Sequence, residues 1–309
     1  MENREEGQVR KEQPAHSQER PAGNDHAAHP SGSLWQYFKE RFPPALVGML
    51  AVSFGAACVG LFGPWSLADK GLWAHLALFA ILYVALLLRY RVVDEWKDYR
   101  HDSRHYPGRP VQRGAIAPRT LAALGVGAVV VELTLAWFLG GLPALPLYAL
   151  VTVLTVGTAV DFFAKDFMDR HFSLSFVIHQ LVYPAMFAWA AVALGASLGD
   201  PRTWWGIASA TALFVSAEVV RKFQPRQSAQ GGVVADTYGA VWGRRLALAG
   251  LVALVVAAGW CAHLAIGSWF SLAVSVAAAV VIAVRHRSDS WVMAGAGAHV
   301  PLLALAMVV

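Results

Sequence analysis

Residues 94–117 read DEWKDYRHDSRHYPGRPVQRGAIA, and they directly follow a long apolar segment. The stretch opens with three aspartates, Asp94, Asp98 and Asp102, at four-residue spacing. On a helix that continues through them, this spacing places the three carboxylates on one face, where like charges repel. A divalent cation removes the repulsion, and Mg²⁺ favours one or two carboxylates together with the oxygens of a bound phosphate. The pattern predicts an acidic metal site, with a solvated, charged helix end as the alternative.

A basic turn follows the three acids. It contains Arg109-Pro110 and, four residues later, Arg113-Gly114. The two arginines and the turn lie beside the three aspartates and close to an apolar segment. This combination favours the metal site over a solvated, charged helix end.

The acidic and basic halves together resemble the first motif of the UbiA superfamily of intramembrane prenyltransferases. That motif reads approximately N-D-x-x-D-x-x-x-D, followed by R-P-[L/I]-x-x-G-x-[I/L]-S. Asp94 stands here at the Asn position, which keeps an oxygen ligand. The other matches, found without a gap, are Glu95, Asp98, Asp102, Arg109, Pro110, Gly114 and Ile116. The spacing is most similar to that of the chlorophyll-synthase branch, which does not assign a substrate.

The composition indicates a polytopic membrane protein. The chain has 309 residues, of which 57% are hydrophobic, and its mean hydropathy is +0.47. Apolar runs of about 20 residues suffice to cross a bilayer as helices. In a soluble protein the pI near 9.4 would suggest nucleic-acid binding, but here the basic residues are better explained by the membrane, so we expect no nucleic-acid partner.

The apolar runs predict an all-α bundle of nine transmembrane helices. They lie near 44–64, 71–93, 119–140, 143–163, 173–195, 203–222, 245–264, 267–284 and 291–309. The division within 245–284, at His263–Ser268, has the least support in the pattern. Pro184 predicts a kink in the fifth span. Residues 1–33 are polar and are expected to be a disordered tail, which leaves 34–309 as the membrane domain.

The distribution of positive charge predicts the orientation. Of the 25 Lys and Arg residues, all but Lys70 and Arg202 fall in the N-terminal region or in the segments that join alternate spans, together with the flanking ends of those spans. The positive-inside rule then places the N-terminus and every motif loop in the cytoplasm. We therefore expect a multi-pass protein of the cell membrane whose C-terminus lies outside.

A second acidic motif of the family falls at the end of the sixth span, usually as two aspartates at i,i+4. This chain has Glu218 at the first position and Lys222 at the second. Glu218 can still ligate a cation, whereas Lys222 and Arg221 are predicted to contact diphosphate oxygens. The alternative is that both basic residues are interfacial anchors. The departure leaves the number of metal ions open.

A polar loop, 223–243, follows the second motif and has the length and glycines of a mobile cover. Its Asp236 is either a replacement carboxylate or a turn residue. At the end of the fourth span the family often has Tyr-x-x-x-Lys-Arg. Lys165 matches the lysine and is predicted to face the diphosphate, whereas Asp161 and Asp166 depart from the pattern.

Polar side chains within the spans predict a cavity or interhelical partners. Glu132 lies inside the third span, and His179 and Tyr183 share a helix face in the fifth. The last two are predicted to hold the hydroxyl of an acceptor or take its proton, with structural hydrogen bonds between helices as the alternative.

The resemblance implies Mg²⁺-dependent transfer of a prenyl group from an isoprenoid diphosphate to an apolar acceptor in the membrane. The predicted metal and catalytic residues are Asp94, Asp98, Asp102 and Glu218, the diphosphate-binding residues Arg109, Lys165, Arg221 and Lys222, and the acceptor-binding residues His179 and Tyr183. Membrane lipids are the expected surroundings, and the sequence indicates no obligatory protein partner. Two other functions remain open: a membrane terpene cyclase that uses the same diphosphate chemistry, and a prenyl-lipid binding or transport protein without turnover.

Overall fold

The computed structural model describes residues 34–234 and 237–309. The expected tail at 1–33 and Asp236 lie outside the described residues. The helices are α1 Leu34–Arg41, α2 Pro44–Phe62, α3 Lys70–Lys97, α4 Tyr99–His105, α5 Pro118–Ala159, a 3₁₀ turn Asp161–Phe163, α6 Lys165–Arg170, α7 Phe172–Gln180, α8 Val182–Ala193, α9 Pro201–Arg221, α10 Tyr238–Val241, α11 Arg244–Ile266, α12 Trp269–Val284 and α13 Asp289–Val308. Two short strands, β1 Arg226–Gln227 and β2 Val233–Val234, form an antiparallel hairpin.

Seven helical segments of the described chain are long and apolar enough to cross a membrane. One of them, α5, has 42 residues and bends at Gly141, whose φ of 53° and ψ of −160° are non-helical. Only glycine adopts such a conformation readily, so Gly141 divides α5 into the predicted third and fourth spans. The shorter apolar helix α12 corresponds to the predicted eighth span. The all-α membrane bundle is confirmed, and nine remains an approximate count of its spans.

Local sequence signals set several helix ends. Proline occupies the first turn of α2, α5 and α9. Backbone N–H groups in the first turn have no acceptor within the helix, so the missing N–H of proline costs no hydrogen bond there. Gly267 has a φ of 73° and ends α11, and the Ser268 side chain then accepts a hydrogen bond from the Ser271 N–H to cap α12. The predicted division of 245–284 is therefore confirmed.

The fifth predicted span is interrupted at Leu181, between α7 and α8. Pro184 has no N–H to donate to the carbonyl of Gln180, so the helical ladder weakens at this turn. The expected kink thus lies one turn before the proline.

An aromatic core joins α2, α3, α8 and α9. Phe54, Phe79, Phe187, Trp189 and Phe214 are all fully or almost fully buried. Ring contacts connect them, including the 5.3 Å separation between Phe54 and Phe187. This packing holds the helices whose ends carry the polar residues described below.

A buried ion pair joins α3 to both arms of α5. Glu132 accepts hydrogen bonds from Arg89 Nε at 2.6 Å and Nη2 at 2.9 Å. Tyr148 donates to the same carboxylate at 2.6 Å, and Arg89 Nη1 donates to Thr155 at 3.1 Å. Glu132 was predicted to face a cavity or a partner, and the structure gives it a partner.

Candidate active site

Polar side chains gather at one end of the bundle, where α3, α5 and α9 end. They form three clusters, named here by their acids. The Asp102 cluster contains Arg41, Asp102 and Arg109; the Asp161 cluster contains Lys97, Asp161, Lys165 and His179; and the Glu218 cluster contains Glu218, Arg221, Lys222 and Tyr238. Asp94 and Asp98 lie at the end of α3, and the charge of Asp94 acts on Arg221 of the Glu218 cluster.

The chain between α3 and α4 is almost helical at Asp98, with φ −90° and ψ 6°. The Asp98 N–H donates to the Asp94 carbonyl at 2.9 Å, and the Asp102 N–H donates to the Asp98 carbonyl at 2.8 Å. The predicted four-residue spacing of the three aspartates is therefore kept in the backbone. The described residues nevertheless contain no group of three acidic, His or Cys side chains placed to hold a metal ion.

Asp102 belongs to an ion pair. Its carboxylate is almost fully buried, is bonded by Arg109 Nη1, and lies 3.8 Å from Arg41 Nη2. The Arg109 guanidinium also lies 3.9 Å from the centre of the Tyr106 ring. Asp102 was predicted to bind metal and Arg109 to bind diphosphate; in this structure each neutralises the other and holds the basic turn against α4.

The short helix α1 docks on the first motif. Arg41 Nε donates to Glu95 at 2.6 Å, and Glu95 is fully buried. Arg113 in the basic turn donates to both oxygens of Glu40, at 3.0 and 2.8 Å. These two pairs were not predicted from the sequence, and they fix both halves of the motif to the same short helix.

Asp94 and Asp98 are the acids of the motif that keep accessible oxygens. The Asp94 side chain is 41% exposed and lies 4.0 Å from Arg91 Nη1. Asp98 is half-buried. Burial, followed by the negative charges of Asp94 and Asp102, raises the pKa of Asp98, while the charge of Lys97 opposes this rise. Two neighbouring carboxylates, one of them poorly solvated, form an electrostatic environment that a cation relieves.

Glu218 is surrounded by cations. It accepts hydrogen bonds from Arg221 Nε and Nη2, both at 2.7 Å, and lies 3.6 Å from Lys222 Nζ. Tyr238, which the sequence analysis left without a role, donates to Glu218 at 3.3 Å. Burial and the nearby Glu218 charge raise the pKa of Tyr238, so its phenol stays a neutral donor. Glu218, predicted as a metal ligand, is engaged here with Arg221 and Lys222, two of the four predicted diphosphate-binding residues.

Asp161 forms the third cluster, and its importance was not recognised from the sequence. Its Oδ1 lies 3.1 Å from Lys97 Nζ and 3.7 Å from His179 Nε2, and its Oδ2 lies 4.0 Å from Lys165 Nζ. Interaction with His179, followed by the charge of Lys97, lowers the pKa of Asp161 to about 2, against the opposing effect of burial. Lys165 is exposed, so its amino group can also meet a ligand.

The backbone at this cluster is strained. Asp161, Phe162 and Phe163 have φ values of 47°, 51° and 59°. Left-handed conformation costs about 1–2 kcal/mol for each non-glycine residue. Three such residues in succession persist only where the surrounding contacts hold them, and such strain is concentrated at functional sites.

The helix is interrupted between His179 and Tyr183, and only His179 belongs to one of the three clusters, that of Asp161. His179 Nδ1 lies 2.7 Å from the Ser175 carbonyl oxygen, and its Nε2 lies 3.7 Å from Asp161 Oδ1. Tyr183 interacts with the Tyr83 hydroxyl and with the charge of Glu218. Its ring lies 6.0 Å from that of Phe214 in the aromatic core.

The predicted covering loop contacts the first motif. His105 Nδ1 lies 2.8 Å from Ser228 Oγ, and the Ala229 N–H donates to the His105 carbonyl at 2.9 Å. The hairpin of β1 and β2 therefore rests on the end of α4. At the other end of the loop, the Tyr238 N–H donates to the Lys222 carbonyl at 3.0 Å.

Comparison with solved structures shows that the chain has a known fold. No protein-family model matches the sequence, and no curated protein matches it. Among solved structures, the chain is similar to one described as the apo structure of a UbiA homolog from Aeropyrum pernix K1, with a TM-score of 0.54 and 19% sequence identity. The similarity covers 85% of this chain and 96% of that one. The protein is therefore a multi-pass membrane protein with the fold of this UbiA homolog.

Proposed function

We propose that the protein is a prenyltransferase of the UbiA superfamily, transferring a prenyl group from an isoprenoid diphosphate to an apolar, aromatic or lipid-like acceptor. One observation carries the proposal. Two partly exposed carboxylates, Asp94 and Asp98, lie at the same end of the bundle as two clusters in which two cations contact one acid. The shared fold and the first motif support the same reading.

The acids present fit a metal site with only two carboxylate ligands. Asp94 and Asp98 would hold one Mg²⁺, whose preference for one or two carboxylates plus phosphate oxygens matches this pair. Asp102 and Glu218 are committed to ion pairs and do not complete a larger set of carboxylates. When bound, the ion supplies positive charge to the diphosphate oxygens.

The basic residues neutralise the leaving diphosphate as the C–O bond ionises. Arg221 and Lys222 share one carboxylate, and Lys97 and Lys165 share another. In each of these clusters, two permanent cations contact the same acid. Fixed positive charges that are already positioned stabilise the developing negative charge without reorganisation.

We propose that the prenyl group enters the apolar interior next to these clusters, where aromatic rings pack against one another in this structure. Tyr83 stacks on Phe54 at 4.5 Å between ring centres, and Tyr83 and Phe214 meet edge to face. Aromatic faces stabilise an allylic cation by cation–π interaction, and their bulk excludes the water that would otherwise capture it. His179, with Nε2 beside Asp161, would hold the acceptor hydroxyl or accept its proton.

The proposed setting is the cell membrane, with the clusters facing the cytoplasm. It is supported by the asymmetry of Lys and Arg along the chain. This orientation gives the clusters access to water-soluble Mg²⁺ and leaves the prenyl tail within the bilayer.

The test supplies purified protein in lipid nanodiscs with Mg²⁺ and geranylgeranyl diphosphate, with and without extracted membrane quinones and phenols as acceptors. Diphosphate release and prenylated product are measured together. Release that depends on the acceptor, with formation of a prenyl–acceptor adduct, is the expected result. A cyclic hydrocarbon formed without acceptor would instead identify a terpene cyclase, and binding without any release would identify a prenyl-lipid binding protein.

A further inference from the structure

A groove on the outer surface of α11 lies away from the three polar clusters. It has a volume of about 810 Å³ and is lined almost entirely by apolar side chains, including Val252, Val256 and Trp260. Ala283 and His286 form its border on the side of α12. The groove opens towards the region that the bilayer occupies, so its natural contents are acyl chains.

One end of the groove is basic. Arg245 and His286 both line it, and Arg287 is exposed in the adjoining turn. Within the described residues, no carboxylate pairs with Arg245 or Arg287. The nearby Asp289 is already bonded by Arg244 and by Gln224, the latter at 3.2 Å. The end of the groove therefore carries uncompensated positive charge.

The length of the groove matches one leaflet. Arg245 and Trp260 are fifteen positions apart on one helix, which corresponds to about 22 Å. Half of a bilayer, with its headgroup region, measures about 20–22 Å. Arg245 lies in the first turn of α11, in the region of the polar loops, so the basic end lies at the headgroup level and Trp260 lies near the bilayer centre.

We infer that this groove is a docking site for an anionic phospholipid of the leaflet on the motif-loop side. The acyl chain lies along Val252 and Val256, and the phosphate contacts Arg245, with Arg287 and His286 beside it. His286 Nδ1 lies 2.9 Å from the Ala283 carbonyl oxygen, so its other nitrogen is directed away from the helix end. The site is independent of the proposed transferase chemistry.

The test is native mass spectrometry of the protein in non-ionic detergent, titrated with phosphatidylglycerol or phosphatidylcholine of identical acyl chains. Phosphatidylglycerol is expected to bind at least about fivefold more tightly. Arg245→Gln should weaken its binding about fivefold, the effect of one cation at the membrane surface, and leave phosphatidylcholine unchanged. Ala253→Phe, an exposed position in the groove, should weaken both lipids.

Arg119→Gln is the matched control, since Arg119 is an exposed arginine at the start of another helix, α5. Equal binding of the two lipids by the wild type, or equal effects of Arg245→Gln and Arg119→Gln, would overturn the proposal. Displacement of phosphatidylglycerol by glycerol phosphate would show a site for free phosphate instead. A change of oligomeric state in Ala253→Phe, without loss of lipid, would show that a second copy fills the groove.

Discussion

Asp161→Asn tests the electrostatics of the Asp161 cluster. Asparagine has the same shape and tolerates the left-handed backbone at this position, so the change removes the charge alone. Lowering the pKa from 3.8 to about 2 corresponds to about 2 kcal/mol of stability at neutral pH. Because the folded-state pKa is the lower one, this contribution is complete above about pH 4 and is lost as the pH falls towards about 2.

The measurement is the free energy of unfolding in detergent, by denaturant titration, at several pH values. The mutant should be less stable than the wild type by about 2 kcal/mol at pH 7, and the difference should shrink below about pH 4. Asp166→Asn, at an exposed neighbouring site on α6, is the control. Equal stability of the two mutants at pH 7, or a difference that stays constant down to pH 2, would refute the reasoning.

Asp98→Asn is expected to abolish Mg²⁺-dependent turnover in a folded protein. Asp102→Asn should instead lower the free energy of unfolding by about 3 kcal/mol, because it leaves Arg109 without its buried partner. The reverse pattern in turnover and denaturant assays would contradict a metal site formed by Asp94 and Asp98. Lys222→Ala should raise the KM for prenyl diphosphate without shifting the Mg²⁺ dependence of the initial rate, and Lys222→Asp should make that rate more dependent on Mg²⁺. If Lys222→Ala behaves like wild type, the lysine is only an interfacial anchor. Cysteines introduced at Ser103 and Gly199 should be labelled from opposite sides of the membrane, and labelling from one side would overturn the orientation.

The bundle could be predicted because its signals are local. Apolar runs act within a few residues, and the breaks at Gly141 and Gly267 fall between the predicted spans. The depth of Glu132 indicated a partner in the same way. The identity of that partner, Arg89, was not predictable, since it depends on how α3 packs against α5.

The candidate site was only partly predictable because charges choose partners in three dimensions. The i,i+4 rule places three aspartates on one face, yet Asp102 meets Arg109, which the basic turn brings back to it. Glu218 was assigned to metal by its position in the motif, whereas its own neighbours supply two cations. The left-handed run from Asp161 has no sequence signal, because two of its three residues are phenylalanine.

The pair of Arg89 and Glu132 has a consequence for biogenesis. A charged side chain within a transmembrane helix costs about 3 kcal/mol on insertion into the bilayer. Insertion of α3 or of the first arm of α5 by itself is therefore unfavourable by this amount. Pairing at 2.6 Å removes much of that cost once both segments have left the ribosome. The two helices should therefore partition into lipid together, as a hairpin that carries residues 98–117 at its tip. The first half of the site would then be assembled during synthesis, well before α9 and Glu218 emerge.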